Sequence, residues 1–63
     1  MKKSILQQAL RLAVKKARKE NVKVDRLFMC ELFGEMYQNS KSEKKSKQII
    51  EFAESCGLTV IIP

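Results

Sequence analysis

Residues 25 to 38 read Asp25-Arg26-Leu27-Phe28-Met29-Cys30-Glu31-Leu32-Phe33-Gly34-Glu35-Met36-Tyr37-Gln38, and this stretch decides the fold. Asp25 is a strong helix N-cap, because its carboxylate accepts from an orphan backbone N–H of the first turn. The helix that follows is apolar nearly all round, and only Glu31, Glu35 and Gln38 form a narrow polar stripe. A helix of that kind is buried on several sides. It is the central helix of the fold, or part of its surface meets another chain. Gly34 disfavours helix by about 1 kcal/mol relative to Ala. It either permits a close helix crossing or marks the helix end.

Upstream, Ser4-Ile5-Leu6-Gln7 has the spacing of a capping box, which predicts a helix from Ser4 to about Glu20. Leu6, Ala9, Leu10, Ala13, Val14 and Ala17 recur at steps of three and four and read as its inward face. Asn21 tolerates left-handed geometry and suits the stop. Val22-Lys23-Val24 alternates apolar and polar, as a short strand does. Downstream, Asn39-Ser40-Lys41-Ser42 reads as loop and cap, with Ser40 or Ser42 as the capping residue. A third helix from about Glu43 to Cys56 turns Ile49, Ile50, Phe52, Ala53 and Cys56 inward. Gly57 is its expected left-handed terminator, with Leu58 folding back as hydrophobic partner. Thr59-Val60-Ile61-Ile62 is β-branched and is expected to pair with Val22–Val24, since a lone strand leaves its backbone unpaired. The expected fold is mainly α: one domain over residues 1–63, three helices around the second, and a small two-stranded sheet.

The chain has 63 residues, a size at which folding buries only about 60% of the unfolded surface. A self-contained active site is not expected. There is no His to act as general base, no Gly-rich phosphate loop and no Cys/His or Ser/His arrangement. The expectation is a protein that is not an enzyme, with no cofactor and no metal. Two cysteines without a His cannot supply four zinc ligands. Both cysteines lie in apolar helical patterns and are expected as reduced core thiols. Met1-Lys2-Lys3 resembles the basic end of a signal peptide, but Gln7, Gln8 and Arg11 interrupt the apolar run that must follow. No stretch approaches the ~18 apolar residues of a membrane span. A cytoplasmic protein without a membrane partner is expected.

Charge is the most informative feature. The chain carries 13 Lys and Arg against 7 Asp and Glu, a net +6. Residues 1–23 hold eight cations against Glu20 alone, a net +7. Residues 24–40 hold one cation against three carboxylates, a net −2, and residues 41–63 four against three, a net +1. Arg11, Lys15, Lys16, Arg18 and Lys19 lie along the first helix. Lys41, Lys44, Lys45 and Lys47 crowd the start of the third, where cations oppose the helix dipole. A solvated face accounts for such clusters; so does contact with phosphates, which dominates non-specific nucleic-acid affinity. Tyr37, Phe28, Phe33 and Phe52 lie in apolar faces and read as core, not as base-stacking platforms.

The order helix, short strand, capped helix, loop, helix, strand resembles a compact winged-helix or helix-turn-helix domain. Within it, Gln48-Ile49-Ile50-Glu51-Phe52-Ala53-Glu54-Ser55-Cys56-Gly57-Leu58-Thr59-Val60-Ile61 is similar to the end of the first conserved region of bacterial primary sigma factors. There too an Ile-rich helix runs into Gly, an aliphatic, a polar residue and Val. The basic first helix followed by Val22-Lys23-Val24-Asp25 is similar to the middle of that region. The sigma region is acidic and DNA-like in charge, whereas this chain is +6. The resemblance therefore implies the fold, while occupying a polymerase's DNA channel calls for the opposite charge. In a helix-turn-helix layout the third helix is the recognition helix. Lys41, Lys44, Lys45, Lys47 and Gln48 would approach DNA, and Arg11, Lys15, Arg18 and Lys19 would contact phosphates. The expected function is a small basic DNA-binding transcriptional regulator. The alternative is a module that docks on RNA polymerase or another protein through Met29, Phe33, Met36 and Tyr37. The open edge of the expected sheet and the surplus apolar faces of the second helix point to a homodimer.

Overall fold

The computed structural model describes residues 4–62. Three helices follow one another: α1 (Ile5–Glu20), α2 (Arg26–Asn39) and α3 (Glu43–Ser55). Their ends are set locally. The Ser4 hydroxyl accepts from the Gln7 N–H at 3.1 Å, and the Gln7 side chain receives the Ser4 N–H, closing the capping box of α1. Asn21 ends α1 in the left-handed region at φ 52°. The Asp25 carboxylate accepts from the Phe28 N–H at 2.7 Å and starts α2. Gly57, at φ 76°, ends α3: its N–H donates to the Glu54 carbonyl and the Leu58 N–H reaches back to Ala53, both at 2.9 Å. That pair of bonds is a Schellman motif, and half-buried Leu58 packs on the core as its hydrophobic partner.

α2 is the centre of the molecule. It contributes Phe28, Leu32, Phe33 and Met36 to the buried cluster, and Leu32 and Phe33 are the largest side chains fully withdrawn from solvent. α1 brings only Ala9 and Ala13 to that cluster, and α3 brings Ile49 and Ala53. Small residues on α1 let its backbone lie close to α2. The Phe33 and Phe52 rings meet with centroids 5.9 Å apart, tilted by 46°. Arg26 extends from the start of α2 to donate to the Gly57 carbonyl at 2.6 Å, tying the two chain reversals together.

The expected two-stranded sheet does not form: the described residues contain no strand. Val22–Val24 and Thr59–Ile62 lie outside the helices, but they do not hydrogen-bond to each other. The Ile61 N–H donates instead to the Cys30 carbonyl on α2, at 3.3 Å. The C-terminal segment thus lies as a strap along α2. The reason is Gly34, one turn beyond Cys30. A Cβ placed there would overlap the Ile61 carbonyl oxygen and stand 2.7 Å from its carbon. Gly34 sits within α2 and does not end it; the close approach it permits is to the strap. The sheet edge that pointed to a homodimer is therefore absent among the described residues.

Two further expectations are corrected. Leu6, Leu10 and Val14 do not face inward but are 49%, 54% and 53% exposed. α2 is reached through the neighbouring row, Ile5, Ala9, Ala13 and Ala17, which leaves these three on the outer flank. Cys30 is a buried thiol as expected, whereas Cys56 is exposed, because the α3 C-cap turns it out of the core.

The strap contact yields a test. Gly34→Ala adds a methyl where a backbone carbonyl already sits, and overpacking of this kind costs about 1–3 kcal/mol. The intrinsic helix preference for Ala, about 1 kcal/mol, opposes that loss. Chemical denaturation should show a net destabilisation, and hydrogen exchange should show the Ile61 amide losing protection. An unchanged or raised stability would mean that the strap does not rest on Gly34.

Candidate nucleic-acid interface

The three residues Ser40-Lys41-Ser42 join α2 to α3, the connection length of a helix-turn-helix. The start of α3 is built unusually. Ser42 stands at the N-cap, yet its hydroxyl makes no capping bond. Ser40 does not cap either: its hydroxyl donates to the Ser42 carbonyl at 2.9 Å and lies 2.8 Å from the Ser46 hydroxyl. Ser46 also donates to the Ser42 carbonyl, at 3.1 Å. The serines tie down the turn and leave the first N–H groups of α3 without a side-chain acceptor. Of the acidic residues only Glu43 stands in that first turn.

Lys41, Lys44, Lys45, Lys47 and Gln48 are all exposed around this end of α3, and none of the lysines forms an ion pair among the described residues. They do not share one face. Lys41, Lys44 and Lys47 border an open depression over Tyr37 and Ile50. Lys45 and Lys41 border a second, on the side of α1, floored by Leu12, Met36 and Ile49. Leu12, Met36 and Asn39 also line a third depression, flanked by Lys15 and Lys19 of α1. The second and third depressions therefore run together as one valley between α1 and the α2–α3 turn. Lysines stand at both ends: Lys41 and Lys45 at one, Lys15 and Lys19 at the other, where Lys16 also lines the valley with its two partners Glu20 and Glu35. Arg11 and Arg18 are exposed on the outer face of α1 and border none of these depressions. The structure thus brings together only part of the sequence-predicted set.

Lys16 is the cation of α1 drawn inward, its side chain 18% exposed. It donates to Glu35 at 2.7 Å, lies 4.0 Å from Glu20, and stands 5.8 Å above the Phe28 ring. The hydrogen bond it donates to Glu35 holds its pKa above the ordinary 10.5, against the opposing effect of burial. The same pair engages Glu35, which also borders the valley. Sequence spacing showed Glu31 and Glu35 on one helix face but not the lysine that meets the second of them.

Of the residues expected to carry protein docking, Phe33 and Met36 are buried at 2% and 6% exposure, and Met29 and Tyr37 are half-buried. They serve the core and do not form an open face. No described helix is long and apolar enough to cross a membrane. Comparison with protein-family models, with curated proteins and with solved structures gives no match.

The Lys16–Glu35 pair is testable by pH. Because the folded pKa of Lys16 is raised, its stabilisation is fully present below the ordinary 10.5 and is lost as pH rises through the higher folded value. Glu35→Gln should cost less than about 1 kcal/mol at neutral pH, since the carboxylate is half-exposed and screened. In denaturant titrations the gap between wild type and variant should close only above pH 10.5. A gap that closes near neutrality would remove Lys16 as its source.

Proposed function

We propose that this protein is a small basic DNA-binding regulator of transcription that sets the N-terminal half of α3 on duplex DNA. The observation that carries the reading is the valley with unpaired lysines at both ends: Lys15 and Lys19 on α1, Lys41 and Lys45 at the α2–α3 turn. Phosphates on either side of a groove call for cations from two separate elements, and this is such an arrangement. The uncapped first turn of α3 adds N–H donors and the positive end of a helix dipole beside those lysines.

Within α3 the charge changes sign along the helix. Lys44, Lys45 and Lys47 occupy the first turns, whereas Glu51 and Glu54 are exposed further on. That gradient favours entry by the N-terminal end, as recognition helices enter the major groove. Gln48 is exposed one turn after Lys44 and carries an amide suited to an adenine edge. The short α2–α3 connection fits the helix-turn-helix expectation. With Phe33 and Met36 buried and Met29 and Tyr37 half-buried, those four residues give less support to docking through α2, where Leu27 is the exposed apolar side chain.

The test is a salt-titrated binding assay on duplex DNA with two triple variants. Lys44→Ala/Lys45→Ala/Lys47→Ala should weaken binding and flatten the slope of log affinity against log salt by about 0.9 per lost phosphate contact. Its stability should hold or rise, because cations leave a helix N-terminus. Arg11→Ala/Lys15→Ala/Arg18→Ala should have a smaller effect, since Arg11 and Arg18 lie away from the valley. If neither triple variant changes affinity or salt slope, the reading is wrong.

A further inference from the structure

We propose that the outer flank of α1 is a docking strip for an acidic amphipathic helix of a partner protein. Leu6, Leu10 and Val14 stand at i, i+4 and i+8, so they form one row with side chains about 5–6 Å apart. All three are about half exposed. The row next to them, Ile5, Ala9, Ala13 and Ala17, is the one that packs on the core. A helix ordinarily withdraws its aliphatic row and shows its small residues; apart from Ile5, which packs on the core, α1 does the reverse and leaves its leucines and Val14 in water.

Charge selects the occupant. Arg18 continues the row one turn beyond Val14, and Arg11, three residues before Val14, flanks it on the side away from the core. Both arginines are exposed, and neither is paired among the described residues. Glu20, the sole carboxylate of α1, is turned toward Lys16. A helix carrying an apolar row bordered by Glu or Asp complements this strip in both respects, the groove-and-rim recognition used by amphipathic helices. A second copy of this chain brings a net charge of +6 of its own, so charge opposes it as the occupant beside two arginines. An anionic bilayer would satisfy the arginines, but its binding scales with buried apolar area. Here that area is a single row, with no aromatic residue exposed among the described residues to anchor it. The strip lies across α1 from Lys15, Lys19 and the valley, so it stands apart from the proposed DNA surface.

The experiment uses the full chain, isotope-labelled, and a synthetic helical peptide with leucines at four-residue spacing bordered by glutamates. A peptide of the same composition in scrambled order is the control. The amphipathic peptide should shift the amides of residues 6–18 and the scrambled one should not. Leu10→Gln/Val14→Gln should weaken binding about tenfold or more, as loss of two buried aliphatic anchors does. Leu10→Ala/Val14→Ala, which keeps helix preference high, should weaken it in the same sense. Both variants should keep wild-type duplex-DNA affinity, so that failure here and failure of the DNA reading are separately visible. Equal shifts from the scrambled peptide, or affinity indifferent to both variants, overturn the proposal. So does binding to vesicles of phosphatidylglycerol and phosphatidylcholine, or a concentration-dependent dimer, that the same variants abolish while the peptide fails to bind.

Discussion

The structure depends on the burial of α2 from three directions. α1 covers Phe28 and Leu32, α3 meets Phe33 through Phe52, and the C-terminal strap crosses at Cys30 and Gly34. Each approach is made possible by something small. Ala9 and Ala13 bring the α1 backbone close, Ala53 does so for α3, and Gly34 admits a carbonyl where any Cβ would collide. A chain of this length has few large side chains to spend, and they are concentrated on one helix while the covering elements supply surfaces that fit around it. The arrangement satisfies close packing but leaves little redundancy, since α1 and α3 each bring only two fully buried side chains to the cluster.

That division of labour explains what sequence reasoning could reach. The helices and their ends were legible because their causes are local. Ser4 with Gln7, Asp25 ahead of Phe28, Asn21 and Gly57 each act within one turn, and the structure uses each as the spacing predicts. The central place of α2 was one of two readings open to an all-round apolar helix, the other being contact with another chain, and the structure puts it at the centre of the core. What was not legible depends on distant residues. Thr59–Ile62 has strand composition, yet its backbone partner is the Cys30 carbonyl, brought there by a glycine 27 positions earlier in the chain than Ile61. The inward face of α1 was misplaced by one row for a similar reason. Periodicity locates an apolar sector, and that sector spans both the alanine row and the leucine row; only the closeness demanded by α2 chooses the alanines.

The candidate site divides in the same way. Charge clusters can be counted in a sequence, and the lysines at the start of α3 are exposed as the count suggested. Which α1 cations join them cannot be counted. Lys15, Lys16 and Lys19 all line the valley, but Lys16 is engaged by Glu35 there, and Arg11 and Arg18 border none of it. These five residues are near neighbours along one helix, and a rotation of 100° per residue together with one carboxylate is enough to separate their roles.

α1 therefore carries three functions on one cylinder. Its alanine row supports the core, its Lys15–Lys19 side closes the valley, and its Leu6–Leu10–Val14 row remains open beside two arginines. An apolar row left in water contributes nothing to folding and raises the risk of association. The start of α3 follows the same logic: lysines gathered at an uncapped helix N-terminus oppose the dipole and weaken the helix locally. Both features run against stability in a domain with little to spare. They lie on different sides of the molecule and differ in chemistry, one cationic and polar, the other aliphatic with a cationic border. Because the two departures differ in place and in chemistry, the two proposals rest on separate observations: the proposed duplex on the lysines, and the proposed acidic amphipathic helix on the leucine row.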